Sequence, residues 1–290
     1  MPQRQKKMHK PTMKAVQQFQ LGTVLNSESQ AAKTLQALKS AGFTGIELCD
    51  FMIHPAPFFV KLLTKAAGMP IGNGGKLDWP RLIRESGLAV PGIHSYLDSV
   101  EKDPDAAVSQ CEAFRSNRIV ITGMYRFDYT GKGNVLDLAA RLNKTGETLA
   151  KQGIELLYHN HNAEFLSVER GLSAYQLLQR ETDPAFLNFE FDSYWCADAG
   201  CDPLLEMKQL GSRMKLWHIN DRGCRKAGFT PICKMDSMEL GHGTMDLEAM
   251  ARQAKENGID AVILESHRNW IDGDPVKSFQ VSTEFLHRHF

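Results

Sequence analysis

The feature that most limits the fold of this chain is a regular alternation of short strand-like runs with longer helix-like stretches. The predicted strands cover residues 19–25, 45–51, 90–96, 118–124, 154–161, 187–195, 214–221 and 260–267. Eight strands, each followed by a helix, in 290 residues is the count of a (β/α)8 barrel. We therefore predict an α/β protein: a single (β/α)8 TIM barrel over residues 16–290, preceded by a flexible basic tail over residues 1–15.

The helices are predicted from periodicity, from polar capping residues and from proline in the first turn. Four predicted helices begin near Ser27, after Asp103, at Pro203 and near Pro275. The other predicted helices cover residues 56–68, 80–87, 134–152, 172–181 and 246–257. A long loop over 222–244 separates the seventh strand from its helix. An open doubly wound sheet normally carries a glycine-rich first turn, and no such turn follows the first predicted strand.

Composition excludes several classes of partner. Lys and Arg together number 34, and so do Asp and Glu, so no broad charged footprint for nucleic acid or an anionic membrane is expected. Six cysteines without a CxxC pair indicate reduced thiols in a cytoplasmic protein, and the spacing of Cys196 and Cys201 argues against a zinc cluster. No segment resembles a signal peptide or a membrane span. We expect a cytoplasmic location.

Acids and histidines cluster where the apolar runs of the second half end. His159 and His161 end the fifth strand, Asp192 lies near the end of the sixth, and His218 and Glu265 lie near the ends of the seventh and eighth. The carboxyl ends of barrel strands meet at one face, where the active sites of such barrels lie. Histidine and carboxylate together form the ligand set of a divalent metal, so the pattern predicts metal-assisted chemistry on an oxygen-rich small molecule.

Side-chain alternation along the strands refines this prediction. Glu190 and Asp192 share one face of the sixth strand and are expected to point into the barrel. Taken alone, Glu190 is better interpreted as a buried, hydrogen-bonded core acid. Glu47 in the second strand and His94 at the end of the third are expected near the same site.

Several motifs together resemble the xylose isomerase-like barrel superfamily of sugar phosphate isomerases and epimerases. They are YHNHNAEF, FDSYW, LWHIND, ELGHGTMD and VILES, in that order along the chain. The resemblance implies one divalent metal ion, Mn, Co, Mg or Zn, held by residues of the fifth to eighth strands. It places Asp192, His218 and Glu265 among the metal ligands. Relatives often have a glutamate where this chain has His159, so the first ligand is Glu164, with His161 or His159 as replacements.

The resemblance also implies a reaction. A metal-dependent isomerase or epimerase of keto-sugars or related polyols would work through an enediolate, with acid–base roles for Glu164, Glu265 and His159. No nucleotide cofactor is expected, because the fragment TGKG (130–133) lacks the rest of a phosphate loop. The residues expected to line the substrate pocket are Glu47, His94, His161, Trp195, Arg222 and His242.

Other functions stay open at this point. A lyase of the same fold, dehydrating a keto-inositol or eliminating from a keto-glycoside, would use the same intermediate, and the HNHxxEF departure favours it slightly. A barrel endonuclease would need further ligands for three zinc ions, and SYW follows FD without a histidine. A non-catalytic partner subunit would not need an intact ligand set. The substrate, the native metal and homo-oligomerisation do not follow from the sequence.

Overall fold

The computed structural model describes residues 11–55, 62, 72–225, 231 and 233–290, and its centre is a closed barrel of eight parallel strands. Each barrel strand pairs with its neighbour in sequence, and the first pairs with the eighth to close the ring. This confirms the predicted (β/α)8 barrel. The strands are β1 Met13–Gln17, β2 Gly45–Cys49, β3 Ile93–Ser95, β4 Arg118–Thr122, β5 Glu155–His159, β6 Leu187–Asp192, β7 Met214–Ile219 and β8 Ala261–Leu264.

Helices connect the strands around the barrel. Most begin where the sequence predicts, because the side chains of Ser27, Asp103 and Asp274 accept the first free backbone N–H groups. The helix predicted over 56–68 falls on residues that are not described, apart from residue 62. The helices are α1 Glu28–Ser40, α2 Asp50–Ile53, α3 Trp79–Ser86, α4 Leu97–Lys102, α5 Pro104–Phe114, α6 Lys132–Ala150, α7 Ala174–Glu181, α8 Ser193–Asp198, α9 Pro203–Leu210, α10 Leu247–Asn257 and α11 Pro275–His289.

The first strand lies earlier than predicted. Residues 19–25 are not a strand: Gln18–Val24 form a 3-10 helix, and β1 is Met13–Gln17. The apolar run is not a strand because its buried glutamines hydrogen-bond to the backbone at the ends of β2 and β8. Gln18 accepts the Cys49 N–H at 2.9 Å, and Gln20 donates to the Leu264 carbonyl at 2.6 Å. Residues 13–15, assigned above to the tail, therefore belong to the barrel, while residues 1–10 lie outside the described residues.

The barrel interior is layered by the alternation of side chains along each strand. A small apolar cluster fills its amino-terminal half, and its members are Ala15, Val120, Leu157, Leu216, Ala261 and Ile263. Two residues further along β5, β7 and β8, the same inward face carries His159, His218 and Glu265. The larger apolar core lies between the strands and the helices. Close packing inside and outside the barrel therefore fixes the strands that carry the ionisable side chains.

The region predicted as a loop after β7 contains two further strands. Asp221–Arg225 pairs antiparallel with Lys234–Met238, and a second short antiparallel pair joins Ser167–Glu169 to Leu172–Ser173. Both pairs lie outside the barrel, in connections that leave the carboxyl ends of β7 and β5. Within the described residues, no helix is both long and apolar enough to cross a membrane.

Candidate metal centre and substrate cavity

Four side chains converge at the carboxyl end of the barrel. His159 and Asp192 are the last residues of β5 and β6, His218 lies in β7, and Glu265 directly follows β8. One donor atom from each lies within 4.8 Å of the corresponding atoms of the other three, and all four side chains are buried. We call this group the metal quartet. Two imidazoles and two carboxylates at this spacing can hold one divalent cation.

The hydrogen bonds of the quartet leave ligand atoms available. Asp192 Oδ1 accepts the backbone N–H of Trp195 at 2.9 Å, which fixes the carboxylate at the start of α8. Its Oδ2 lies 3.9 Å from His218 Nδ1, and Glu265 Oε2 lies 2.9 Å from the same nitrogen. The free Oδ2 of Asp192 therefore faces the same small space as His218 and Glu265.

A second buried layer orients the two imidazoles from below. His218 Nε2 lies 2.6 Å from Glu47 Oε2, and His159 Nδ1 lies 3.0 Å from Glu190 Oε2. His94 Nε2 lies between the same two carboxylates, 2.7 Å from Glu190 and 3.1 Å from Glu47. Carboxylates that accept the second N–H of a ligating histidine fix its tautomer and ring orientation. Glu190 is thus a buried, hydrogen-bonded acid, as the sequence indicates, and Glu47 shares its role.

Burial and mutual charge perturb every group in these two layers. Burial raises the pKa of the Asp192 carboxyl well above its ordinary range, and the Glu265 carboxylate adds to that rise. Burial would lower the pKa of His94, but Glu47 and Glu190 outweigh it and raise the pKa to about 10. For His159 burial dominates, and the pKa falls to about 3, so this imidazole is neutral and ready to bind a cation.

Glu164 lies close to this site but outside both groups of potential ligands found among the described residues. Its Oε1 accepts the hydroxyls of Tyr129 and Tyr158, each at 3.0 Å, and its Oε2 accepts the backbone N–H of His161 at 2.9 Å. The structure therefore brings together Asp192, His218 and Glu265 as expected, with His159 in the position expected for Glu164.

A cavity of about 410 Å³ opens above the quartet. Its floor includes His159 and Glu265, and its wall includes Glu164. Of the residues expected in the pocket, His94, His161 and Trp195 line it, and Glu47 lies beneath it. A larger cavity of about 1030 Å³ lies at the opposite end of the barrel. The active sites of (β/α)8 enzymes lie at the carboxyl end of the strands, so this cavity is not the candidate site.

Two residues expected in the pocket lie elsewhere. Arg222 pairs with Asp198 at 2.8 Å, and His242 is exposed in the turn after the outer strand pair. Neither contributes to the lining of the cavity that the structure describes. Conversely, His267 lines the cavity, with its Nε2 3.8 Å from Glu265 Oε2, and sequence reasoning missed it. The sequence could have indicated it, because His267 lies two residues after Glu265 and an extended chain would direct both side chains to the same face.

Comparison with known proteins identifies the family. A family model described as xylose isomerase-like TIM barrel matches residues 35–289. Inosose dehydratase of Mesomycoplasma hyopneumoniae is 35% identical over 85 residues, which is 29% of this chain and 27% of that protein. The chain thus matches only about a quarter of the length of this curated relative.

Solved structures share the fold over nearly the whole chain. A sugar phosphate isomerase/epimerase from Parabacteroides distasonis has a TM-score of 0.72 and 21% identity, covering 96% of this chain and 98% of its own. The protein IolI, solved with a bound zinc atom, has a TM-score of 0.67 and 14% identity, covering 96% and 99%. At these identities the likeness establishes the barrel alone.

Proposed function

The chain belongs to the xylose isomerase-like TIM barrel family, and from this premise we propose that it is a divalent-metal-dependent enzyme that isomerises or epimerises a keto-sugar. The observation that carries the proposal is the metal quartet at the floor of the cavity, with its four donor atoms within 4.8 Å of one another. Mixed imidazole and carboxylate ligands suit Mn²⁺, Co²⁺, Mg²⁺ or Zn²⁺. The zinc atom bound to IolI supports an ion in a protein of this fold.

The ligands would be His159, Asp192, His218 and Glu265. A divalent ion held by them would polarise a substrate carbonyl as a Lewis acid and would stabilise negative charge that develops beside it. Glu190 keeps His159 in the tautomer that leaves Nε2 free, since His159 Nδ1 already faces the Glu190 carboxylate at 3.0 Å. In the same way Glu47 leaves His218 Nδ1 to the quartet.

Glu164 is then available for proton transfer. Its carboxylate lines the cavity, and three fixed donors, the hydroxyls of Tyr129 and Tyr158 and the N–H of His161, set its orientation. We assign it as the base that takes the proton from the carbon next to the carbonyl, which leaves an enediolate. Return of the proton to the adjacent carbon gives isomerisation, and return to the opposite face gives epimerisation. Glu265 also lines the cavity and is the second carboxylate that a substrate there would meet.

Dehydration is the second candidate, favoured by the 85-residue match to inosose dehydratase. The first step is the same removal of a proton next to a carbonyl. Loss of a hydroxyl from the β-carbon then replaces return of the proton. Because both reactions use Glu164 in the same way, the substrate's leaving group decides between them.

Elemental analysis of protein purified without added metal tests the centre. We expect near-stoichiometric Mn, Co, Zn or Mg in the wild type, restored by added Mn or Co if the ion is lost, and none in the double variant Asp192→Ala, His218→Ala. His159→Ala should lose the metal, while Glu164→Gln should keep it. His242→Ala is the matched control, because this histidine is exposed and outside the quartet. Metal retained in His159→Ala but lost in Glu164→Gln would reverse the ligand assignment.

The reaction is tested by incubating a panel of keto-sugars and keto-inositols in D₂O with metal-loaded protein. A product whose mass differs from that of the substrate only by the incorporated deuterium indicates isomerisation or epimerisation. A product that has lost the mass of one water indicates dehydration. Glu164→Gln should abolish exchange while the metal stays bound. Exchange that persists in this variant would remove Glu164 from the base role, and no exchange with any substrate in metal-loaded wild type would contradict the proposal.

A further inference from the structure

The loop after β7 carries a carboxylate at the centre of a ring of backbone amides. Asp221 Oδ1 accepts the N–H groups of Arg222 at 2.8 Å and Met245 at 3.3 Å, and Oδ2 accepts those of Gly241 at 3.0 Å and Gly243 at 2.9 Å. Converging amides of this kind bind anions, and (β/α)8 enzymes often build a phosphate site in the loops after strands seven and eight. Here the chain's own buried carboxylate accepts these amides, so they are already paired and do not offer a phosphate site.

Away from His94 and the metal quartet, the described lining of the cavity carries little positive charge. Arg126 is the one lysine or arginine found in that described lining, and its guanidinium lies over the ring of Tyr125, 5.2 Å from the centroid, on the exposed rim. Glu164 and Glu265 face the same space with carboxylates. A phosphate dianion held away from His94 and the metal quartet would meet the Glu164 carboxylate, with exposed Arg126 as the lysine or arginine of the described lining that could offset its charge.

The mouth of the cavity is aromatic. Phe19 packs edge-on against Phe51 with centroids 5.3 Å apart, and Tyr96 lies 6.1 Å from Phe51. Tyr96 is 42% exposed and Tyr125 is 72% exposed. We call Phe19, Phe51, Tyr96 and Tyr125 the aromatic rim. Large aromatic side chains grouped at a cavity mouth and left open to solvent indicate a surface that binds an apolar ligand.

Two polar atoms on residues that line the cavity have no hydrogen-bond partner. They are Nε1 of Trp195 and Nδ1 of His267, both fully buried, on rings whose centroids are 5.3 Å apart. Both residues line the cavity. Buried polar atoms are nearly always satisfied, so a ligand hydroxyl would supply the missing partner once these rings turn toward the cavity.

We propose that the substrate is an unphosphorylated keto-sugar that carries an apolar, preferably aromatic, substituent. Trp195 and His267 would hydrogen-bond the hydroxyls of the sugar ring, and the substituent would pack against the aromatic rim. A cavity of about 410 Å³ has room for a sugar ring and a substituent. This inference rests on the proposed function, since it places the reacting sugar above the metal quartet.

Isothermal titration with three probes that have no ketone tests the inference separately from the chemistry. The probes are phenyl β-D-glucoside, methyl β-D-glucoside and glucose 6-phosphate. We expect the phenyl glucoside to bind about tenfold more tightly than the methyl glucoside, the effect of one well-packed aromatic contact. Glucose 6-phosphate should bind no more tightly than the methyl glucoside. Titrating both chelated and Mn-loaded protein reveals any phosphate that binds the ion itself.

The variant Tyr125→Ala should reduce the preference for the phenyl over the methyl glucoside. Leu166→Ala is the matched control, because this side chain is 47% exposed but does not line the cavity, and it should leave the preference unchanged. Tightest binding by glucose 6-phosphate to chelated protein, equal binding of the two glucosides, or no binding by any probe would overturn the inference. Because the probes cannot react, a failure of deuterium exchange would contradict the proposed function without changing this result.

Discussion

Removal of the metal should lower the melting temperature of the protein by an amount that the chain length predicts. The entropy of unfolding for 290 residues is about 0.6 kcal/mol/K, from roughly 2.1 cal/mol/K per residue. An ion present at a hundred times its dissociation constant stabilises the native state by about 2.7 kcal/mol. The expected shift is therefore about 4–5 °C, and each further tenfold rise in free ion should add about 2 °C.

The variant Asp192→Asn separates metal binding from folding. Burial and the Glu265 carboxylate raise the pKa of Asp192, so its ionised form destabilises the metal-free protein, and this cost grows as the pH rises through the folded-state pKa. The asparagine keeps the Oδ1 that accepts the Trp195 N–H. Metal-free Asp192→Asn should therefore melt no lower than metal-free wild type at neutral pH, but it should show no shift with added ion.

The assay is differential scanning calorimetry of chelated protein, titrated with free Mn²⁺ and then with Co²⁺, Zn²⁺ and Mg²⁺. His242→Ala should match the wild type at every concentration, because this exposed histidine lies outside the quartet. A wild-type melting temperature that is flat for all four ions would refute the metal centre. An equal slope in Asp192→Asn would show that the ion binds elsewhere.

Three further predictions concern packing, pH and the cavity wall. In α6, Gly146→Ala should lower stability by about 1–3 kcal/mol, because the added Cβ overlaps the backbone carbonyl that precedes β6, whereas Gly133→Ala, with open space around it, should raise stability by about 0.4–1 kcal/mol in thermal melts. Burial raises the pKa of Glu206, so the stability of the folded protein falls as the pH rises through the folded-state pKa of this carboxyl. Glu206→Gln should therefore raise the melting temperature at pH 7. An equal gain at pH 4 would contradict this cause. Gly123→Ala should reduce turnover about tenfold or more with little change in metal content, since its Cβ would lie 2.5 Å from Glu164 Oε1, and unchanged turnover would argue against the assigned base.

The parts of the fold that sequence predicts well are those in which local pattern and tertiary burial agree. Strands β2 to β8 lie in apolar runs, and each begins and ends within a few residues of its predicted range. The first strand failed because β1 contains Lys14 and ends in Gln17, whereas residues 19–25 are more apolar. Only the tertiary hydrogen bonds of Gln18 and Gln20 show why the apolar run is a 3-10 helix.

The candidate site divides in the same way. Side-chain parity in the sequence predicts that Asp192, His218 and Glu265 point inward, and the structure brings them together. The placement of Glu164 could not be predicted, because it depends on the hydroxyls of Tyr129 and Tyr158, one of which is far away in the chain. The side chains of Arg222 and His242 lie in the connection after β7, outside the barrel strands, where proximity to a strand end is a weak guide to the site.

The buried charges themselves give a physical reason to expect a cation in this barrel. Four carboxylates, those of Glu47, Glu190, Asp192 and Glu265, are enclosed, and among the described residues their ion-pair partners are histidines. In the metal-free protein, protons supply this balance. Burial raises the pKa values of Asp192 and Glu47, and for His218 the neighbouring carboxylates outweigh burial and raise the pKa. A divalent ion in the quartet would replace such protons, so binding should release them. Metal titrations followed by calorimetry in two buffers of different ionisation enthalpy should count the released protons, and a count of zero would show that the ion does not enter this cluster.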